Sequence, residues 1–457
     1  MPRWNRREFT IGCTSLMAGL LVGCERERPT LQAVSEPAAP PGLAGAEATI
    51  DDLHTILERR ASAVQEDDEQ TFLADLDQSN QKLLERQQTV FANLRQLEFD
   101  KFRYLTPGII PPLPDENGVS RFAPVIGIAK LVIDAAPGGV APAEAFAYDV
   151  TMRDGTPVVG DIVPITRRNA EKVAVSTQVY ANAPWNTTPL EIVKAGNVWL
   201  AGDDTVDDLQ TYADAAQAQV AEVEALWGDR ARFPGYILFF TRRKPNLRAW
   251  YDFGKQSDLF EGVQVPLQGV RRNGEVYRGR YAGSRIVVNL QSIELNGDDP
   301  VHVMRHELAH AVTARATAVD IGLGDFSVIA PRWAIEGFAR WVENLESPDR
   351  QSQQRGVVAD GVASGLFDDT TPQSDGFYDE SSIQFNYAVS ASVFDYAQQT
   401  ASRDAAIDLY AQTVELSDLP GEPLVGLPAF DGVCERVLGV SSAAFMQDWA
   451  SFVRSGA

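Results

Sequence analysis

The sequence predicts an α+β protein: a helix-plus-antiparallel-sheet part followed by a mainly helical part with a small sheet. Three observations predict it. Apolar residues recur at helical spacing from Ala48 to Leu97, the stretch after them changes to short β-rich runs between turn residues, and from residue 204 onward helical periods dominate with only two strand-like runs. The chain has 457 residues, which suits two or three domains with cores of their own.

The N-terminus is set apart from the fold. "MPRWNRREFTIGCTSLMAGLLVGCERERPT" has an arginine-bearing start, an apolar run from Phe9 to Gly23, and then Cys24. That run is short for a membrane span and fits the core of an export signal. "NRREFTI", with Arg6 and Arg7, resembles a twin-arginine export signal, and "LVGC" (Leu21 to Cys24) is similar to the lipobox of bacterial lipoproteins. The resemblance implies that residues 1–23 are removed, that Cys24 carries the lipid, and that the protein is anchored to the extracytoplasmic face of the cell membrane. Residues 24–46 are rich in Pro, Ala and Glu without a period and read as a flexible spacer. Cys13 leaves with the signal, so Cys434 has no intramolecular partner and no disulfide framework is expected. Cys434 reads as a small core residue.

Residues 47–203 form the first folded part. Leu53, Ile56 and Leu57, then Leu73 and Leu76, Leu83 and Leu84, and Val90, Phe91 and Leu94 mark two or three amphipathic helices. "APVIGIAKLVID", "AFAYDVTM", "GDIVPITRR", "AVSTQVYAN" and "NVWLAGDD" then read as strands of one antiparallel sheet. Residues 204–457 form the second part. It opens on a helix beginning near Thr205, continues through strand-like "GYILFFT" (235–241) and "SRIVVNL" (284–290), and then turns to helices. The net charge of −23, from 40 basic and 63 acidic residues, argues against nucleic acid as a partner, because phosphate binding needs a basic footprint.

"RHELAHAVTA" carries the chemistry. His306, Glu307 and His310 spell HExxH, and i and i+4 side chains of a helix share a face, so two imidazoles converge on one point suited to zinc. Asp298 or Asp299 can cap this helix with Pro300 at its first position. A catalytic zinc takes three protein ligands and keeps one position open, so a third ligand is required. His302 cannot join His306 and His310, because eight residues advance a straight helix by about 12 Å and about 80° in phase. "APRWAIEGFARWVENLE" (330–346) reads as a helix opening at Pro331. On it Glu336 is flanked by bulky hydrophobes and needs a partner; Glu343, seven residues on, is the alternative inward acid.

HELAH followed by W-x-x-E-G-x-A, whose Glu336 lies 26 residues after His310, resembles the gluzincin zinc metallopeptidases, in particular the bacterial peptidase MA-like family. "SRIVVNL", "QFNYAVSASVFDYAQQTAS" and "FMQDWASFVR" are similar to its flanking elements. The resemblance implies a zincin-like fold over 204–457, Glu336 as third ligand beside His306 and His310, and a peptide or protein substrate. Residues 47–203 resemble the nuclear-transport-factor-like domain that precedes this peptidase domain in some lipoproteins. Glu307, not a ligand, is then the general base. Tyr387 is the candidate donor to a developing oxyanion, and Tyr378 the second choice. His54 receives no function. Two alternatives have different consequences: a binding or scaffolding lipoprotein without turnover, and a zinc amidase acting on cell-wall material.

Overall fold

The computed structural model of the protein describes residues 47–456 apart from 110–112, 135–139, 174–176, 178, 181, 231–232, 254–259, 315–329 and 417–421. The expected export signal, spacer and lipidated Cys24 lie outside the described residues. Thr49 opens the first helix with a reciprocal cap, its hydroxyl accepting from the Asp52 N–H at 3.1 Å while the Asp52 carboxylate accepts from the Thr49 N–H at 2.9 Å. Helices α1 (Ile50–Glu66), α2 (Glu69–Leu73) and α3 (Gln81–Leu94) follow, with Asp68 and Asn80 capping the second and third. Leu53, Ile56, Leu57, Leu83 and Phe91 are buried, so the apolar spacing read from the sequence is the face that packs.

Four strands form the first sheet: β1 (Phe99–Leu105), β2 (Val119–Leu131), β3 (Ala143–Arg153) and β4 (Thr156–Pro164), antiparallel and in chain order. The β3–β4 hairpin closes through Asp154 and Gly155, both at positive φ (51° and 77°), the two-residue turn that matches strand twist. The expected strand "AVSTQVYAN" (174–182) is not one among its described residues. Val179 within it and Val173 just before it are instead buried with Ile126, Ile128 and Ala145, an apolar role that needs no ladder.

The second sheet corrects the strand grouping. β6 (Val198–Gly202), expected as the last strand of the first sheet, pairs antiparallel with β5 (Glu191–Ala195), a strand not expected from the sequence, and runs parallel to β7 (Tyr236–Thr241) after the crossover helix α4 (Ala213–Trp227). Every residue of β6 is buried, and its continuous apolar run suits an interior parallel position better than an alternating surface strand. Helix α4 begins eight residues after Thr205, whose hydroxyl hydrogen-bonds Asp203 and accepts from the Arg242 N–H at 2.9 Å. After α5 (Lys244–Ala249) come β8 (Gly262–Val270) and β9 (Val276–Asn289), and the sheet order is β5-β6-β7-β9-β8. The sequence shows only the last part of β9. The hairpin partner β8 contains Pro266, which an edge strand tolerates and which masks the strand signal.

Eight helices complete the described chain: α6 (Leu290–Asn296), α7 (Pro300–Val312), α8 (Arg332–Asn344), α9 (Pro348–Ala363), α10 (Ile383–Thr400), α11 (Arg403–Val414), α12 (Pro428–Leu438) and α13 (Ser442–Arg454). Their core includes Trp333, Phe338, Trp341, Phe394 and Tyr410, with Phe338 and Tyr410 stacked at 3.9 Å between ring centroids. Cys434 is buried there and its thiol is pushed up to about 12, by burial first and then by Asp431 and Glu435. No helix among the described residues is long and apolar enough to cross a membrane.

The 3-10 turn that follows β2 is tied to the second sheet by a buried ion pair. Arg285 of β9, 1% exposed, donates to both oxygens of Asp134, 2% exposed, at 2.7 and 2.8 Å. Asp134→Ala strands a buried guanidinium and should cost about 3–5 kcal/mol. Asp149→Ala breaks the more exposed bidentate pair with Arg121 and should cost about 0–1 kcal/mol. Urea unfolding of the two variants checks the order; equal losses would contradict it.

Candidate metal centre

Asp299, of the two candidate caps, starts the motif helix. Its carboxylate accepts from the Val301 N–H at 2.9 Å, with Pro300 at the first helical position. Asp298 pairs instead with Arg350 at 2.8 Å. Helix α7 buries Met304, Leu308, Ala311 and Val312 in the helical core, and Glu307 and His310 are also buried. Helix α8 approaches α10 closely at Gly337, where a Cβ would lie 2.7 Å from the backbone of Ser390. The glycine of "E-G-x-A" therefore serves helix contact, and it sets Glu336 beside α7.

His306, His310 and Glu336 come together. The two Nε2 atoms are 3.2 Å apart, and Glu336 Oε2 lies 3.4 Å from His306 Nε2 and 3.3 Å from His310 Nε2. A tetrahedral ion bonded at about 2.0–2.1 Å has ligand-to-ligand edges of about 3.3–3.4 Å. The three atoms are spaced as three corners of that tetrahedron, so the residues present fit zinc. Among the described residues this is the single such group of three or more His, Cys, Asp or Glu.

Glu343 stands behind the cluster. Its Oε2 lies 3.1 Å from His306 Nδ1, and since a carboxylate only accepts, Nδ1 donates and the Nε2 lone pair faces the cluster. Arg340 reaches its Oε1 at 2.7 Å and Arg350 bonds the same oxygen. Burial raises the Glu343 carboxyl, but Arg340, His306 and Arg350 together bring it down to about 2. The periodicity of α8 leaves two inward acids, and packing gives them different neighbours.

The charges call for a cation. Burial lowers the affinity of His306 for a proton, yet Glu336, Glu343 and Glu307 raise it to about 10. Burial opposes ionisation of Glu336, and His310 and His306 hold it well below the usual range. Glu307, 7% exposed, shifts the other way: burial raises its carboxyl, His306 and His310 offset part of this, and Glu336 adds to it. A buried carboxyl displaced toward neutrality is suited to accepting and returning a proton. Gly262 of β8 makes its space, since a Cβ there would lie 2.7 Å from Glu307 Cγ.

Both tyrosines named from the sequence are at the site. The Tyr378 hydroxyl donates to Glu336 Oε1 at 2.5 Å and accepts from Arg332 Nη1 at 2.8 Å. The Tyr387 ring lies 5.9 Å from the His306 ring, and its hydroxyl is pushed well up by burial, then by Glu336 and Glu307. His302 is outside the cluster and its pKa is lowered, by burial first and then by Arg350. His54 bonds Thr106 Oγ1 at 2.6 Å, far along the chain from the motif. Gly262, Arg332, Arg340 and Arg350 were not singled out from the sequence. Only Arg340, three residues from Glu343 on one helix, carried a local signal.

Glu336→Ala should reduce zinc retention severely, because water replaces a ligand. Glu343→Ala should reduce it by about 10- to 100-fold, the usual effect of removing a carboxylate that orients a ligating histidine. Competition with a chromogenic chelator ranks the two, and a greater loss in Glu343→Ala would exchange their roles.

No family model and no curated protein matches this sequence. Among solved structures, a crystal structure of the M1 zinc metallopeptidase from Deinococcus radiodurans matches with a TM-score of 0.33 and 14% identity, over 78% of this chain and 73% of that one. A crystal structure of a point mutant of an M1 zinc metallopeptidase from the same organism matches with a TM-score of 0.34 and 14% identity, over 75% and 73%. Overlap at that level assigns this chain neither an activity nor a ligand, and the chemistry rests on the side chains themselves.

Proposed function

We propose that the protein is a zinc-dependent peptidase of the gluzincin type, held at the extracytoplasmic face of the membrane by a lipid on Cys24. One observation supports the chemistry: three donor atoms at the spacing of a tetrahedral edge, with the buried, non-ligating carboxylate of Glu307 on the same helix. His306, His310 and Glu336 hold the ion in this reading, and a bound zinc ion supplies Lewis acidity and an activated water. Glu307 takes a proton as the water attacks a peptide carbonyl, then returns it to the departing amine. Tyr378 donates to Glu336 and orients it, and Tyr387, whose hydroxyl also meets Glu336 and whose ring lies beside His306, is the donor to the developing oxyanion. The three helices ahead of a four-stranded antiparallel sheet support a nuclear-transport-factor-like first part, and the α7–α8 pair beside a sheet supports a zincin-like second.

Cleavage of a denatured-protein library, and then of cell-wall amides, tests the activity. Loss with a chelator and recovery with zinc is expected. Bound zinc with no cleavage in either class would replace the enzyme by a binding lipoprotein. Anchoring is tested separately. Cys24→Ala should leave unlipidated protein that no longer sediments with membranes, and replacing Arg6 and Arg7 by Lys should block export. Wild type that fractionates as fully soluble would remove the anchor.

A further inference from the structure

Arg60 of α1 is a buried charge with no ion-pair partner among the described residues. It is 2% exposed, donates through Nη1 to the Phe72 carbonyl at 2.8 Å and through Nη2 to Gln87 Oε1 at 2.5 Å, and lies 3.8 Å over the Phe72 ring. Its Nε is buried with no hydrogen-bond partner. Among the described residues no carboxylate stands within ion-pair distance. Asp75 is near enough to feel its charge and is bonded by Arg59. The other fully buried arginine among the described residues, Arg285, is matched by Asp134 at two points. A buried guanidinium lacking such a match carries a desolvation cost that an anion would offset.

Arg60 also lines a cavity. A space of about 570 Å³ lies between α1, α3 and the first sheet, within the size range of small-molecule sites. Phe102, Phe146 and Ile162 give it apolar walls, and Gln87, Tyr104 and Tyr148 contribute polar groups on the same lining. Glu144 lines it too, but its two oxygens accept from Trp185 Nε1 at 3.3 Å and Asn186 Nδ2 at 3.2 Å. Lys82, Glu85 and Arg86 are exposed parts of the lining, and Arg86 pairs with Asp161 at 2.5 Å, so Arg60 is the positive charge inside the cavity.

We propose that this cavity binds a small amphipathic monocarboxylate, its acid group paired with Arg60 and its aliphatic or aromatic body against the apolar walls. One guanidinium satisfies a carboxylate with two parallel hydrogen bonds, whereas a phosphate would need further donors. The site is independent of the metal cluster and of the proposed peptidase activity.

The test is isothermal titration of the purified protein with octanoate, 3-phenylpropanoate and neutral octanamide. At least one carboxylate should bind one per chain, octanamide should bind at least about tenfold more weakly than octanoate, and Arg60→Met should weaken the carboxylate by at least about tenfold. Val90→Phe keeps Arg60 and adds bulk to the lining; it should weaken the carboxylate similarly, and it decides the matter if Arg60→Met does not fold. Titration of His306→Ala separates this site from carboxylate captured by zinc, and binding should persist there. The proposal is overturned if neither carboxylate binds, if octanamide binds equally, if the folded variants bind as well as wild type, or if binding vanishes in His306→Ala.

Discussion

Glu307→Gln should keep close to one zinc per chain while peptide cleavage falls by about 10⁴-fold, the upper end of general acid–base contributions. The upper end is expected because the same carboxylate serves two steps, first as acceptor from water and then as donor to the amine. Glutamine keeps the size that the space beside Gly262 allows, but it cannot take a proton. The three donor atoms come from other residues, so the metal content should not change. Metal analysis and steady-state rates on one preparation check both halves. Equal turnover with zinc in place would remove Glu307 from the mechanism. Loss of zinc together with activity would make it a structural support of the cluster.

His306→Ala and His310→Ala should each abolish zinc binding at micromolar metal and take all cleavage with it. Either change leaves two corners of a three-point site, and zinc held by two protein donors exchanges readily with solvent. His306→Ala has a second effect, since it leaves Glu343 facing Arg340 and Arg350 without its imidazole contact. His310→Ala disturbs no such network among the described contacts, so the two variants should match in metal content and differ in thermal stability. Inductively coupled plasma analysis and thermal unfolding measure the two quantities. Unchanged stoichiometry in either variant would end the zinc assignment.

Much of the site was legible because its determinants are local. HExxH places two imidazoles on one helix face by the helical repeat alone, and the Asp-Pro start before it is a cap that needs no tertiary partner. The three opening helices and the Asp154–Gly155 hairpin are local in the same sense, set by apolar period, side-chain caps and turn conformation. The second sheet was less legible. Its strand β6 is separated in sequence from its parallel neighbour β7 by the whole of α4, and although the apolar run of β6 marks a buried strand, nothing in either segment names its partner.

By itself, then, the sequence determined the motif, its helix, the alternating classes of element, and a short set of acids able to complete the cluster. Tertiary structure alone decided which acid stands where. Glu336 and Glu343 are seven residues apart, and seven residues bring a helix back to within about 20° of the same direction, so periodicity assigns both to one face. The choice came from how α8 is set against its neighbours: the Gly337–Ser390 approach fixes α8 on α10, Glu336 Oε2 then meets both Nε2 atoms, and Arg340 and Arg350 hold Glu343 against His306 Nδ1. Those contacts depend on distances of a few tenths of an ångström between close-packed elements far apart in the chain, a quantity that residue type and spacing do not encode.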